Sequence, residues 1–317
     1  MDARLTRLVG VLLLLLGACA SQPTSPWSDS DHPLAGRIMR VADGALVSQA
    51  ALVIDAVYAD YVLIGERHDN PEHHRLQADL VEVLQAFDDR PRAVAFERFP
   101  AERQLDIVEY LETSSDAAGL GKVVGWESNG RPDWSSYQPI AQAALDANAQ
   151  IVAAGLDRDE ARAVFAEGAA ALRSPFVRRT GLGEPWSAPM LLSLQNELRM
   201  TDCRQPPPAT LAGMVEVQRA RDAMMADRLA ATAGEGGAVL IAGNNRVRND
   251  RGVPWYLARL SPRSRTVSIG LIEVHDDMVE APMGLPFDYV WFTPRGATRS
   301  DACGEASRDL QRVRQPG

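Results

Sequence analysis

Tyr61-Val62-Leu63-Ile64-Gly65-Glu66-Arg67-His68-Asp69-Asn70-Pro71-Glu72-His73-His74 runs from an apolar segment through a polar junction into a helix start. Four consecutive apolar residues closed by Gly65 read as a strand buried on both faces. Asn70 and Pro71 read as the N-cap and first residue of a helix. That helix continues with Leu76, Leu80, Val83 and Leu84 at spacings of three and four. A strand handing over to a helix within a few residues is the building unit of an α/β fold. The junction also carries chemistry. The chain has five His, and His68, His73 and His74 fall within this one stretch. Imidazole ligates metals and transfers protons near neutral pH.

Outward from this unit the alternation repeats. Residues 93–97, 151–155, 238–243, 267–274 and 289–292 read as further strands. Residues 47–58, 102–111 and 138–148 have helical spacing, and 113–137 read as a long irregular excursion rich in Ser and Gly. Residues 158–232 contain no clear strand and read as an inserted helical subdomain. The expected fold is α/β, a mainly parallel sheet with helices on both faces plus that subdomain, over residues 36–295, followed by a tail at 296–317.

Composition narrows the function. At 46% hydrophobic and 24% charged the chain is an ordinary globular protein. Its net charge of −9, without a basic block, argues against nucleic acid as a partner. Lys122 is the single Lys. The first residues read as a targeting segment: Arg4 and Arg7 precede a short apolar run, Val9 to Leu16, too short to span a bilayer. Leu16-Gly17-Ala18-Cys19 resembles a bacterial lipobox, which implies cleavage after residue 18 and lipidation of Cys19. Residues 19–35 read as a tether. Ala20 and Ser21 bring no Asp behind the cysteine, which favours the outer membrane. Cys203 and Cys303 remain. In an oxidising compartment they are expected to form a disulfide, with a pair of free thiols as the alternative.

In an open α/β sheet, ligands bind beyond the carboxyl ends of the strands. Glu66 and His68 follow the first strand, Glu97 ends the second, Asp157 follows the third, and Asn244, Asn245 and Arg246 follow the fourth. These ends predict one polar crevice. A long helix, residues 211–231, adds Gln218, Arg221 and Asp222 on one face. Arg221 and Asp222 either pair there, with each other or with Glu66 or Glu97, or line the crevice. Glu66, His68 and Glu97 have the chemistry to hold a divalent metal, and Glu97 could act as a general base. His73 and His74, on the first turn of the helix, are expected at the rim, placed to bind a ligand or cofactor there.

The decapeptide from Gly65 to His74, followed by Gln77, resembles the signature of the ChaN family of haem-binding bacterial lipoproteins, within the Tiki/TraB/erythromycin-esterase superfamily. Phe96-Glu97, Trp134 with Tyr137 and Pro139, the segment from Gln218 to Ala226, and Gly243-Asn244 with Asp250 and Gly252-Val253-Pro254 extend the resemblance over residues 36–295. It implies a lipid-anchored outer-membrane protein in haem or iron uptake. It also implies a homodimer that holds haem at its interface, and a haem receptor in the outer membrane as a partner. The iron would be ligated by a Tyr, for which Tyr137, Tyr256 and Tyr110 are candidates, while basic side chains hold the propionates. The superfamily's second motif ends in His where this chain has Arg246. Arg neither ligates metal nor acts as a base, but it suits a propionate. The substitution counts against the alternative function, a metal-dependent hydrolase using Glu66, His68 and Glu97. A third possibility is a partner-binding module that retains an enzyme-like fold.

Overall fold

A computed structural model describes residues 31–87, 91–126, 133–201, 206–275 and 277–296. Cys19, Cys203 and Cys303, with the lipobox and the C-terminal tail beyond residue 296, lie outside the described residues.

The sheet has eight strands: β1 (Ile38–Arg40), β2 (Ala45–Val47), β3 (Tyr61–Ile64), β4 (Ala93–Pro100), β5 (Ile151–Gly155), β6 (Ala238–Ile241), β7 (Thr266–Glu273) and β8 (Tyr289–Thr293). Their spatial order is β2-β1-β8-β7-β3-β6-β4-β5. The six strands from β3 to β8 pair in parallel, as expected from the sequence. β1 and β2 form an antiparallel hairpin on the β8 edge. Residue 47 therefore ends a strand rather than starting a helix. Helix α1 (Gln49–Val57) begins after Ser48, whose side chain accepts from the Ala51 N–H as its N-cap.

Every residue of β3 is buried, because helices cover both faces. Val62 and Ile64 face one apolar layer with α1, α2 (Pro71–Gln85), α3 (Gln104–Thr113), α4 (Leu120–Val123) and α5 (Trp134–Asp146). Tyr61 and Leu63 face the other layer, with α6 (Arg158–Glu167), α7 (Ser174–Thr180), α8 (Ala188–Thr201), α9 (Pro208–Thr232) and α10 (Val253–Leu260). The stretch from α6 to α9 is the expected helical insertion. Helix α5 starts at Trp134, earlier than the sequence suggests, and carries Pro139 inside it. A proline normally marks a first turn, and that rule misplaces the start here.

After β3 the chain passes to β4 and β5, then returns so that β6 fits between β3 and β4, and β7 forms on the other side of β3. This reversal opens a crevice at the carboxyl ends of the central strands.

Candidate functional site

The crevice is a groove of about 1020 Å³ at that edge. Glu66, His68, Gln218, Arg221, Asn244, Asn245 and Arg246 all line it, as the sequence predicts. Arg67, Arg98, Glu273 and His275 also line it and were not expected. Phe165, Leu198, Met214 and Val217 form an apolar wall from α6, α8 and α9. Asp157 is elsewhere: its Oδ1 accepts from the Glu102 N–H at 3.0 Å, and it lines a separate cavity of about 410 Å³. The convergence expected of four strand ends thus fails for β5, whose following residue turns away to open α6.

Glu66 organises the groove floor. It is buried, and its Oε1 accepts from His68 Nδ1 at 2.5 Å and from the Tyr137 hydroxyl. His74 Nε2 lies 3.3 Å from its Oε2, close enough for attraction, although neither His74 nitrogen meets hydrogen-bond geometry. Burial opposes the charge of Glu66, but the imidazoles of His68 and His74 hold its carboxyl well below the usual range. An ionised Glu66 fixes the proton of His68 on Nδ1 and leaves Nε2 as the free lone pair. The His68 side chain is 37% exposed.

His73 and His74 are not at a rim and do not line the groove, which corrects the expectation that they meet a ligand. They are 0% and 1% exposed. The Asn70 cap explains why. Its Oδ1 accepts from the Glu72 N–H at 2.9 Å, while its Nδ2 donates to Glu273 Oε1 at 2.8 Å and to the Pro294 carbonyl at 3.0 Å. These bonds tie the start of α2 to the ends of β7 and β8, so the first turn faces protein. His73 Nδ1 accepts from the Arg67 N–H at 2.7 Å, so Nε2 donates to Thr293 Oγ1, also 2.7 Å away. Burial lowers the His73 pKa to about 3, which keeps the ring neutral. His74 packs on Tyr137 with ring centroids 4.1 Å apart.

Glu97, on β4, accepts from the Gly243 N–H at 2.8 Å and from Arg246 Nε at 3.0 Å. Burial pushes its pKa up, but Arg246, His68 and the Gly243 amide together bring it down to about 2. Arg246 also donates to Asp222 Oδ1 at 3.3 Å. Asp222 is buried, and desolvation, aided by Glu97, raises its pKa to about 7 against the pull of Arg246. The ion pair expected of Asp222 therefore forms with Arg246, while Arg221 lines the groove. Asn244 is structural as well as lining: its side chain bonds the Leu271 N–H at 3.1 Å and the Leu271 carbonyl at 2.6 Å, bridging β6 to β7 across the end of β3.

Two expectations are corrected by these contacts. Glu66, His68 and Glu97 do not converge as a metal centre; among the described residues no group of three or more His, Cys, Asp or Glu side chains does. Glu66 faces His68 and Tyr137, and Glu97 faces Arg246 and Gly243. The tyrosines are also displaced, since none of the six lines the groove. Tyr137 is buried, and burial and Glu66 raise its pKa well above the ordinary value, so the phenol stays a donor. Tyr256 is fully buried in the α10 layer, its pKa also pushed up by burial. The Tyr110 hydroxyl binds the Asp116 carbonyl at 3.2 Å and accepts from the Gly119 N–H at 3.1 Å.

A family model described as haem-binding uptake, Tiki superfamily, ChaN, matches residues 52–257. Among solved structures, ChaN of Campylobacter jejuni, described by its cofacial haem binding, aligns with a TM-score of 0.65 at 18% identity over 80% of this chain and 95% of that one. The type III effector HopBA1 aligns at a TM-score of 0.43 and 12% identity, covering 77% of this chain and 92% of its own. A mutant of the erythromycin esterase EreC aligns at 0.41 and 16% identity, covering 87% and 86%. No curated protein matches the sequence.

Proposed function

The chain belongs to the ChaN family of haem-binding uptake proteins in the Tiki superfamily, and on that premise we propose that its groove holds haem. The observation that carries this reading is the mixed lining of the groove. Phe165, Leu198, Met214 and Val217 offer a flat macrocycle an apolar wall, and Arg67, Arg98, Arg221 and Arg246 line the same groove. Haem has the matching character, an apolar ring with anionic carboxylates. The groove imidazoles able to meet iron are His68, through its free Nε2, and His275. Bound haem would be the cargo rather than the agent of a reaction.

Haem uptake as a lipoprotein anchored at Cys19 in the outer membrane follows from the lipobox and the family. A homodimer with haem between its subunits, delivering to or receiving from an outer-membrane haem receptor, completes the proposal. It is supported by Phe165, an apolar groove residue left 44% exposed. Haemin titration is the test. We expect a shifted Soret band that saturates at stoichiometric protein, with sedimentation showing haem-dependent dimers. No spectral change at saturating haemin refutes haem binding.

A second reading is favoured by one observation, the Glu66-oriented His68. A carboxylate on Nδ1 and a free Nε2 facing a groove are the parts of a general base for hydrolysis. Esterase activity lost in His68→Gln would support it. Unchanged background hydrolysis in that variant would remove it.

A further inference from the structure

The pairing of charges around the groove is uneven, and the unevenness has a structural cause. In β4, Phe96 and Phe99 are both buried in the same apolar layer, stacked with centroids 4.4 Å apart. Strict alternation would send residues three apart to opposite faces. A register shift between β4 and β5 at Phe96 to Pro100 absorbs the extra residue. Consequently the consecutive residues Glu97 and Arg98 both face the carboxyl-end side. There they line a small polar cavity of about 280 Å³ beside the main groove, together with His68 and Arg221.

Glu97 is neutralised within the protein by Arg246 and the Gly243 amide. Arg98 and Arg221 are not neutralised. Neither has a carboxylate within ion-pair distance among the described residues. Arg98 Nε is buried without a hydrogen-bond partner, and the side-chain bond of Arg221 is to Gln218 Oε1 at 3.3 Å. Burial and the nearby Arg246 lower the Arg221 pKa, as expected where positive charges gather without enough anions. A guanidinium nitrogen withdrawn from water is ordinarily paired. Arg98, whose Nε is not, and the solvent-exposed Arg221 meet on one cavity beside the Nε2 of His68, where two guanidinium groups without a carboxylate form a receptor for a planar or tetrahedral oxyanion.

We propose that Arg98 and Arg221 form an oxyanion subsite in this cavity beside the groove, which takes a carboxylate or phosphate group. On the haem reading, from which it takes its ligand, the subsite seats a propionate, so that the ring lies outward against Phe165 and Met214. Arg246, the basic residue expected from sequence to hold that carboxylate, is instead engaged by Glu97 and Asp222.

Titration of the full-length protein at pH 7 with three probes tests the assignment: haemin, haemin dimethyl ester, which lacks free carboxylates, and inorganic phosphate. Arg98→Gln and Arg221→Gln are compared with wild type after their melting curves are matched; Arg221 is exposed on α9, so its replacement leaves the core intact. The expected result is phosphate binding to wild type and a loss of about tenfold or more in haemin and phosphate affinity in each variant, with ester affinity unchanged. Equal haemin affinity in all three proteins overturns the subsite while haem binding stands. Phosphate held through both arginines with no haemin bound keeps the subsite and removes haem as the source of its anion. Failure of both haemin and phosphate to bind wild type overturns the assignment.

Discussion

His73 should make the protein acid-sensitive in a pH range where its carboxylates do not. The ring is buried and neutral, with Nδ1 accepting from the Arg67 amide and Nε2 donating to Thr293. Protonation would place a second proton where the Arg67 N–H already points. Its pKa falls from 6.5 in a free side chain to about 3. Above pH 6.5 neither the folded nor the unfolded chain protonates this residue. Below it the unfolded chain takes up a proton and the folded chain does not, so stability declines as pH falls. The decline is about 1.4 kcal/mol per pH unit. It reaches about 2 kcal/mol at pH 5 and saturates near 5 kcal/mol once pH passes below the folded value. Glu97 loses its contribution in a lower window, from 4.5 down through about 2. The two groups are therefore separable. Asp222, raised to about 7, contributes with the opposite sign as pH falls from 7 towards 3.8, equally in wild type and in a His73 variant, so the difference between the two proteins isolates His73. Urea unfolding of wild type and His73→Asn at pH 7.5, 6 and 5 is the assay. Asn retains an acceptor for the Arg67 amide and does not titrate. The variant should begin about 1 kcal/mol less stable, for the lost Thr293 bond, and the gap between wild type and variant should then close by about 1.4 kcal/mol per pH unit below pH 6.5. Parallel curves for the two proteins between pH 6.5 and 5 would refute the placement of a neutral, desolvated His73.

Further outcomes follow from single contacts. In Gly65→Ala the new Cβ would lie 2.2 Å from Asn244 Oδ1 and 3.1 Å from the Ile269 carbonyl, so chemical denaturation should show a loss of about 1–3 kcal/mol or more. Replacing Tyr137 with Phe removes a buried hydrogen bond to Glu66 and should cost about 1–3 kcal/mol by thermal unfolding. Glu97→Gln leaves Arg246 buried beside a neutral partner; we expect a loss of about 3–5 kcal/mol at neutral pH by the same measurement, whereas a loss below 1 kcal/mol would show that Asp222 alone satisfies the guanidinium.

What could be read from sequence was set by how many neighbours a residue's role requires. The parallel strands were legible because burial on both faces demands an unbroken apolar run, a local property of segments such as Val62 to Ile64. The β1–β2 hairpin was not, since strands of three residues are too short to establish a period and Val47 fits a helical pattern equally well. The groove followed from one topological rule, yet its occupants did not. His73 and His74 look exposed on a first turn, and only the distant Glu273 and Pro294, through Asn70, turn them inward. Arg98 did leave a local mark. Phe96-Glu97-Arg98-Phe99 breaks the two-residue period of a strand, and a bulge is what lets both aromatics remain buried. The three imidazoles of the junction, identical in type and close in sequence, differ in what meets their nitrogens. His73 has both engaged, His74 has neither hydrogen-bonded, and His68 has one held by Glu66 and one open to the groove. Reactivity here is decided by partners up to 220 residues away along the chain, and of the three only His68 is left with a nitrogen to offer a ligand.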